Sequence, residues 1–489
     1  MVWLLPPLSG LLYALAQPGY GIFTFSYVFL IPMLVFFLHR PKNPFSGFFL
    51  FELSKNILLL TFIPQVMVHY GGMHPTLGYT GWIGLSVFLA LLCIPFGPLI
   101  GKALTGSRTW LLLPLIYAGK DTLLEYILGG FPWCLLGYSQ LKVPWLPQWA
   151  EVGGVHLVSA IVILLNLLIF RLLRHRNRSA LLQMLVTTFI LFNCGALLQR
   201  QTRLEVQRNG SPATLAIVQP NSSYDSFNGY EPRLSELLDT SEALVRSGAQ
   251  AVIWPEYSLP LYPRQWTTYG KRLQAFAEKN APLIGGFTDR RGRGETYNAV
   301  MLFDGKDILQ YNKSHLAPFG EYIPFRPLFF FIRRITDEIS DFTPGSGPST
   351  LPLLGHPVGL PICYEAIFPS LVRSFVSRGA EMLIVTSNDS WYDGGRAHRQ
   401  LLTMSAFRAL ENRRYLLRST ANGISAWVTP LGEIRDEIPY GVEGSTLADA
   451  GFIRSKTLFT LGGVHFGLFC LILSALLTLP PILKRCRRF

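Results

Sequence analysis

The segment Pro357-Val-Gly-Leu-Pro-Ile-Cys-Tyr-Glu365 is an apolar, strand-like run that ends in a cysteine, a tyrosine and a glutamate. Cys363 is the only cysteine between residues 200 and 457, so it has no disulfide partner within that region. A lone thiol at the end of a strand is either an inert buried residue or a nucleophile. The choice between these two interpretations depends on whether other segments supply a base and a cation.

Cys363 lies in a region where short apolar runs alternate with helix-like stretches. The apolar runs are 215–219, 251–254, 283–287, 299–303, 358–362, 382–386 and 424–429, and the helix-like stretches are 233–246, 271–278 and 400–412. Strands that alternate with helices predict a layered α/β domain. Such domains place their chemistry in the loops that follow strands.

Two other loops after predicted strands carry a charged side chain. Pro255 closes the strand 251–254 and leaves Glu256 at its tip, and Lys313 lies in a loop dense in polar and aromatic residues. Taken singly, each is more often a solvated surface charge. Together they fit the thiol, because a carboxylate can take its proton and an ammonium can stabilise an oxyanion. We therefore expect proton transfer to Glu256 during attack by Cys363, with Lys313 and the Tyr364 backbone N–H as oxyanion donors.

The composition indicates a membrane protein with one large soluble insert. In 489 residues, 49% are hydrophobic and only 15% are charged, which is too apolar for a wholly soluble chain. Runs of roughly membrane-spanning length occur at 3–17, 20–38, 48–68, 80–100, 110–128, 152–172, 180–198 and 459–483. We therefore predict a membrane domain of seven helices at 1–199, a soluble α/β domain at 200–457, and a final span with a basic tail at 458–489.

The net charge of +13 predicts topology and not nucleic-acid binding. The predicted connections alternate between the two sides of the membrane, and the short loops on one side hold only Lys142. The connections on the other side, together with the C-terminal tail, hold Arg40, Lys42, Lys102, Arg108, Arg171, Arg174, Arg176, Arg178, Lys484, Arg485, Arg487 and Arg488. By the positive-inside rule both termini are cytoplasmic and the soluble domain faces outward. Its basic flank at Arg200, Arg203 and Arg208 either touches anionic headgroups or is a solvated linker.

The outward loop 129–151 is rich in glycine, proline and aromatic residues, among them Trp133, Tyr138, Trp145 and Trp149. These residue types form aromatic belts at membrane interfaces. A second interpretation is a loop that dips into the bilayer and lines a cleft that admits lipid. The nine histidines show no metal-ligand spacing, so we expect neither a metal site nor a cofactor.

Several segments resemble the nitrilase superfamily, and the whole arrangement resembles the bacterial apolipoprotein N-acyltransferases. These segments are Phe131-Pro-Trp with Gly137-Tyr-Ser-Gln140, Trp254-Pro-Glu256, 311–324, Ile362-Cys-Tyr-Glu365, Ser387-Asn-Asp-Ser-Trp391 and Asn422-Gly-Ile-Ser425. The likeness covers nearly the whole chain. It implies a bundle of about eight membrane helices in the bacterial inner membrane, with a periplasmic αββα sandwich.

The resemblance also implies a ping-pong reaction. Cys363 would take an acyl chain from a phospholipid and pass it to the α-amino group of the diacylglyceryl-cysteine of an apolipoprotein. Glu256 would act as base and Lys313 as oxyanion stabiliser. In supporting roles, Glu321 would orient either Lys313 or the partner of the thiol, Tyr364 would cap the oxyanion and Glu365 would brace the strand end. The residues expected to bind substrate are Tyr138, Tyr224, Asn388 and Trp391, and the expected state is a monomer without a cofactor.

Two loops depart from the family pattern. The loop at 219–225 is shortened and lacks a tryptophan, for which Tyr224 is the candidate substitute, and 396–401 reads Arg-Ala-His-Arg-Gln-Leu, which retains only Gln400 of the usual Gly-Pro-aromatic-Gln-His. An amide hydrolase, an acyltransferase for a specialised acceptor, and a transporter or scaffold with an inactive domain are therefore alternatives. The last of these predicts the loss of a catalytic residue, whereas Glu256, Lys313 and Cys363 are all present.

Overall fold

The structure, a computed structural model, describes residues 1–104, 109–221, 230–259, 262–265, 267–292, 294–323, 342–392 and 396–486. The chain divides into two compact units. The first consists of Met1–Met67, His74–Gln201 and Thr457–Phe489, and the second of Val68–Met73 and Thr202–Lys456. The predicted domain limits at 199 and 457 stay predictions.

The first unit is helical. Its helices are α1 Leu5–Ala16, α2 Leu30–His39, α3 Pro44–Leu59, α4 Ile63–Gln65, α5 Pro75–Cys93, α6 Phe96–Leu104, α7 Thr109–Tyr126, α8 Ala150–His175, α9 Arg178–Asn209 (which continues into the second unit) and, after the second unit, α14 His465–Cys486. Short 3₁₀ turns at Leu136–Gln140 and Leu146–Trp149 precede α8.

Within the described residues, three helical segments are long and apolar enough to cross a membrane, namely Pro75–Cys93, Leu146–His175 and Arg178–Asn209. The pair Pro44–Leu59 and Ile63–His69 would make a fourth span that bends by 58°. Shorter apolar helices lie at Val2–Ala16, Phe23–His39 and His465–Leu476. The prediction of about eight spans therefore stays a prediction.

Four buried charged side chains join α3 to α7 inside this unit. The Lys120 Nζ lies 3.1 Å from Glu52 Oε1 and 3.1 Å from Asp121 Oδ1, and Lys55 pairs with Glu52. A lone charge in apolar surroundings is costly. Two cations and two carboxylates in contact remove most of that cost and fix the two helices against each other.

The second unit contains two six-stranded sheets. One has the order β12-β1-β2-β3-β4-β5 and the other β11-β10-β9-β8-β7-β6. The strands are β1 Ser211–Gln219, β2 Ala251–Ile253, β3 Leu283–Arg291, β4 Glu295–Phe303, β5 Ile308–Asn312, β6 Thr350–Leu353, β7 His356–Gly359, β8 Met382–Ser387, β9 Leu416–Thr420, β10 Ser425–Val428, β11 Ile434–Ile438 and β12 Gly444–Phe452. The helices are α10 Tyr230–Arg246, α11 Thr267–Lys279, α12 Pro369–Ser377 and α13 Arg396–Asn412.

The two sheets face each other and helices cover their outer sides. Between the sheets, the Ser419 hydroxyl of β9 donates to the Val218 carbonyl of β1 at 2.8 Å. Leu237 of α10 and Leu273 of α11 share an apolar core with Val252 of β2. On the other side, α12 contacts β7 and α13 contacts β9. These four layers are the αββα sandwich that the resemblance implied.

Strand direction brings the candidate residues to one edge. In the first sheet β2 and β3 are parallel, and β4 is antiparallel to both β3 and β5, so β5 runs in the same direction as β2. Glu256 follows β2 and Lys313 follows β5, so both lie at the carboxyl end of the sheet. In the second sheet β7 and β8 are parallel, and Cys363 and Asn388 follow them.

Candidate active site

Cys363 begins a 3₁₀ turn, Cys363–Ile367, which we call the nucleophile turn. Its φ is +49°, a left-handed conformation that residues other than glycine rarely adopt. Its exposed fraction is 7%. Strained backbone of this kind persists only where surrounding contacts hold it, and it is common at functional sites. The preceding residue, Ile362, pairs with Thr386 of β8, which places the cysteine beside the end of that strand.

Glu365 holds the nucleophile turn against the loop that carries Lys313. One of its carboxylate oxygens, Oε2, accepts the backbone N–H of Ile362 at 2.9 Å. The other, Oε1, accepts the backbone N–H groups of Ser314 and His315 at 2.7 and 3.0 Å. The hydroxyls of Tyr311 and Ser314 donate to the same oxygen at 2.8 and 2.9 Å. One buried carboxylate therefore fixes two of the three candidate loops relative to each other.

Glu256 is 2% exposed and receives hydrogen bonds on both carboxylate oxygens. Its Oε1 accepts from the Asn298 side-chain amide at 2.7 Å and lies 3.5 Å from the Lys313 Nζ. Its Oε2 accepts the backbone N–H of Asn388 at 2.6 Å. The latter bond connects the two sheets, because Glu256 follows β2 and Asn388 follows β8.

Lys313 lies between two carboxylates and is 1% exposed. Its Nζ is 2.9 Å from the Glu321 carboxylate in addition to its contact with Glu256. The Asn298 amide donates to Glu321 Oε1 at 2.6 Å, and the Ala317 backbone N–H donates to Oε2 at 2.7 Å. Glu321 therefore orients Lys313 directly, and Asn298 fixes both carboxylates.

Burial and charge set the protonation of the three central groups. Burial raises the pKa of Glu256, Lys313 lowers it and Glu321 raises it further, with a net increase. Burial would lower the pKa of Lys313, but the charges of Glu321 and Glu256 outweigh it and raise that pKa. Burial and the charge of Glu256 raise the pKa of the Cys363 thiol, although Lys313 lowers it. The site thus combines a neutral thiol, a strengthened carboxylate base and a permanent cation.

The remaining predicted residues lie in different parts of the chain. Asn388 is buried and caps the 3₁₀ turn Asp389–Trp391, so Asn388 and Trp391 both follow β8 at the same edge as the base. Tyr364 is buried in the nucleophile turn. Its ring packs edge to face with the ring of Phe368, and the two ring centroids are 5.1 Å apart. Tyr138 belongs to the first unit and is 1% exposed. Tyr224 lies outside the described residues.

Sequence reasoning missed Asn298 and the pair of Asp389 and Arg418. Asn298 lies near the start of β4, and because that strand is antiparallel to β3, its start shares the edge with the candidate loops. A polar residue at the start of a return strand could have been noticed. Arg418 is fully buried in β9 and donates to Asp389 at 2.6 Å. No local pattern predicts a pairing between residues 29 positions apart.

Two family models and several curated proteins match this chain. Residues 9–168 match the apolipoprotein N-acyltransferase N-terminal domain, and residues 214–450 match the carbon-nitrogen hydrolase family. An apolipoprotein N-acyltransferase of Geobacter metallireducens is 28% identical over 96% of this chain and 93% of that protein. One from Pseudomonas aeruginosa is 30% identical over 71% of this chain and 67% of that protein.

The chain belongs to the apolipoprotein N-acyltransferase family. Membership confirms the resemblance seen in the sequence, and the carbon-nitrogen hydrolase match includes Glu256, Lys313 and Cys363. An amidase structure from Nesterenkonia sp. has a TM-score of 0.41 and 21% identity, and it covers 52% of this chain and 94% of its own. Among the residues that the structure describes, no group of three or more His, Cys, Asp or Glu side chains could hold a metal ion.

Proposed function

We propose that this protein transfers a fatty acyl chain from a phospholipid to the N-terminal α-amino group of diacylglyceryl-cysteine apolipoproteins. Family membership supports the substrates. The observation that carries the chemistry is the buried cluster in which Lys313 lies 3.5 Å from Glu256 and both charges act on the Cys363 thiol. A base, a cation and a nucleophile of this kind suit acyl transfer through a thioester.

In the first half-reaction, the Cys363 sulfur attacks the ester carbonyl of the phospholipid and its proton passes to Glu256. The carbonyl oxygen becomes an oxyanion, which Lys313 and the Tyr364 backbone N–H stabilise. The C–O bond then breaks, Glu256 returns the proton to the departing alkoxide, and the lysophospholipid leaves. The acyl chain remains on Cys363 as a thioester.

In the second half-reaction, the acceptor amine attacks the thioester carbonyl. Glu256 takes a proton from the amine nitrogen, and the oxyanion forms again beside Lys313. When the C–S bond breaks, the sulfur recovers the proton and the amide product leaves. Glu256 serves as base and then as acid in each half, which requires a pKa near the working pH. The increase in its pKa on burial is in that direction.

Supporting residues fit specific steps of this scheme. Glu321 holds the Lys313 ammonium at 2.9 Å, and Glu365 holds the nucleophile turn. We assign Asn388 and Trp391, which follow β8, to the substrate-binding surface beside the base. Tyr138 and Tyr224 complete the residues that we propose to bind substrate.

The substrates require a membrane setting. We propose that the hydrolase domain, 200–457, lies in the periplasm between seven spans at 1–199 and a final span at 458–489. This arrangement leaves both termini in the cytoplasm, as the distribution of Lys and Arg predicts. The proposed active form is a monomer that uses no cofactor, since each step employs groups of one chain.

A two-substrate assay tests the reaction. The purified protein is mixed in detergent with a phospholipid that carries an isotopically labelled acyl chain and with a diacylglyceryl-cysteine peptide. We expect labelled N-acylated peptide and lysophospholipid in equal amounts. Labelled free fatty acid without acylated peptide would indicate a hydrolase and contradict the proposal.

Two variants make the assay specific. Cys363→Ala should abolish both products because the acyl carrier is lost. Cys470→Ala removes a buried cysteine of α14, in the other unit, and should leave both products at the wild-type rate. A Cys363→Ala protein that still transfers the label would exclude the thioester route.

A further inference from the structure

A buried ion pair that takes no part in either half-reaction lies behind the turn that contacts the base. Asp389 and Arg418 are both fully buried, and the Arg418 guanidinium donates to Asp389 Oδ2 at 2.6 Å. The hydroxyl of Ser387, the last residue of β8, donates to Asp389 Oδ1 at 2.6 Å. The Asp389 carboxylate therefore joins the end of β8 to the neighbouring strand β9, which contains Arg418.

The residue between Ser387 and Asp389 carries the N–H that reaches the base. The Asn388 backbone N–H donates to Glu256 Oε2 at 2.6 Å. The carbonyl of the same peptide group belongs to Ser387, and it accepts the Ala421 backbone N–H at 3.0 Å. One peptide group thus extends from the second sheet to the base, and its orientation decides whether this oxygen of Glu256 receives the hydrogen bond.

The Asp389 side chain is also held from two other segments. A methyl group on Gly423 would lie 2.2 Å from Asp389 Oδ2, so the loop after β9 packs directly on the carboxylate. The His398 Nδ1 of α13 lies 3.7 Å from the same oxygen. Burial would raise the pKa of Asp389, but Arg418 and His398 hold that pKa below its usual range. Asp389 is therefore an ionised group with a fixed position, and the backbone of Asn388 is fixed beside it.

We propose that the Asp389–Arg418 pair is a positioning element for the base, which holds the Asn388 N–H on Glu256 Oε2 and so keeps Glu256 ionised until it takes the thiol proton. This inference rests on the proposed function, in which Glu256 is the base for Cys363. A backbone N–H that donates to a carboxylate stabilises its ionised form. If the peptide turned away, burial would favour the protonated form of Glu256, which cannot accept the proton of the thiol.

Several other groups act on Glu256. They are Lys313 and Glu321 after β5, Asn298 in β4, Cys363 after β7, and Asn388 and Tyr392 after β8. Burial raises the pKa of Glu256, and the Asn388 N–H is one of the contacts that lower it. Loss of that hydrogen bond should therefore raise the pKa further. The negative charge of Asp389 has the opposite consequence, because removal of that charge alone would lower the pKa of a neighbouring carboxyl group.

Replacement of both partners tests the proposal without a change in net charge. Asp389→Ala/Arg418→Met removes the contacts that fix the Asn388 peptide, and loss of a complete buried ion pair is often tolerated by the fold. The full-length protein in detergent, without added lipid or peptide, is titrated by infrared difference spectroscopy. The carboxylic acid band of Glu256 is identified by its absence from Glu256→Gln. We expect its titration midpoint to rise by about one pH unit, which leaves about ten-fold less ionised base below the midpoint.

A milder variant keeps both charges and changes only the geometry of the pair. Arg418→Lys replaces a planar guanidinium by a compact ammonium. We expect the Glu256 midpoint to rise, but by less than in the double variant. If the double variant does not fold, the direction found for Arg418→Lys decides. The control is Glu381→Ala/Arg454→Met, which removes an ion pair of 2.9 Å at the opposite end of β8 and should leave the midpoint unchanged.

Three results would overturn the proposal. A Glu256 midpoint that moves to lower pH would mean that Asp389 acts through its charge alone. Reduced thermal stability with an unchanged infrared titration would mean that the pair only stabilises the fold. An equal shift in the control would mean that the effect is not specific to Asp389 and Arg418.

The infrared titration also separates this inference from the proposed function, because it requires no acyl transfer. A raised Glu256 midpoint in a protein whose wild type transfers no acyl chain overturns the proposed function alone. An unchanged midpoint in the variants of an active enzyme overturns this inference alone.

Discussion

The Lys313 ammonium lies 2.9 Å from the Glu321 carboxylate, and both side chains are buried. Glu256 is 3.5 Å from the same ammonium, so one cation serves two carboxylates. The two carboxylates are not equivalent in our scheme, because only Glu256 receives the thiol proton. This distinction between a catalytic carboxylate and a positioning carboxylate leads to the first prediction.

Glu256→Gln and Glu321→Gln should slow Cys363 acylation by different amounts, although both substitutions remove one negative charge beside Lys313. Glu256→Gln removes the general base, and we expect the rate of Cys363 acylation to fall by about 10²–10⁴-fold. Glu321→Gln keeps the base and an oxygen that can accept from Lys313, so its loss should be much smaller. Single-turnover acylation followed by intact mass spectrometry measures both rates. Equal losses in the two variants would remove the assigned difference in roles.

The rate of Cys363 acylation, plotted against pH, should fall at low pH, and Lys313 should cause no fall at high pH. The net effect on Glu256 is a pKa above its ordinary value of 4.5, so the base is lost as pH falls through that raised pKa. Lys313 has a pKa raised above its ordinary 10.5 and stays charged throughout the working range. Because the Glu321 charge raises the pKa of Glu256, Glu321→Gln should move the acid limb to lower pH. The measurement is the acylation rate against pH for the wild-type and Glu321→Gln proteins. An acid limb that moves to higher pH in the variant would contradict the prediction.

Lys313→Met should slow acylation strongly while the domain remains folded. The methionine fills the volume but supplies no charge for the oxyanion, and we expect a loss of about 10²–10³-fold. Glu256 and Glu321 would then face each other without a cation, so one of them should retain a proton. Circular dichroism checks the fold and single-turnover kinetics check the rate. Wild-type kinetics in a folded Lys313→Met protein would exclude Lys313 from the mechanism.

Glu365→Gln should lower both stability and activity. The carboxylate accepts five hydrogen bonds, including the Ile362 backbone N–H at 2.9 Å, and the glutamine NH₂ group cannot accept any. A buried N–H left without an acceptor costs about 1–3 kcal/mol. We expect a lower midpoint of thermal unfolding and slower acylation, because the nucleophile turn loses its connection to the Lys313 loop.

Glu381→Gln is the matched control for that substitution. Glu381 is a buried carboxylate immediately before β8, and its oxygens contact His356 and the mostly exposed Arg454. Its replacement should leave acylation unchanged and reduce the midpoint less than Glu365→Gln does. A similar loss of activity in both variants would mean that Glu365 acts only through general stability.

The position of Glu256 could be predicted from sequence because it follows the apolar run 251–254, which contains β2. Lys313 was predicted only as part of a polar loop, because β5, Ile308–Asn312, has no continuous apolar pattern. Strand direction in the structure places both residues at one edge. The prediction was less accurate for the run before Cys363. We expected a strand over 358–362, whereas β7 ends at Gly359 and only the Ile362 pairing with Thr386 continues it.

Strands whose apolar pattern is interrupted were not predicted. β9 contains Arg418, which is fully buried and would be costly there without the Asp389 carboxylate. A local pattern treats such an arginine as a surface residue, because the compensating charge comes from a distant loop. Asn298 was missed for a related reason. Its side-chain amide donates to both Glu256 and Glu321, and these three residues come together only in the folded chain.

The most direct test is the detection of an acyl-enzyme. The protein is purified from membranes without the acceptor, analysed by intact mass spectrometry, and treated with neutral hydroxylamine, which cleaves thioesters. We predict one fatty acyl adduct on Cys363 that hydroxylamine removes and that the Cys363→Ala protein lacks. An adduct that persists in Cys363→Ala, or a wild-type protein that forms none when supplied with phospholipid alone, would contradict acyl transfer through this cysteine.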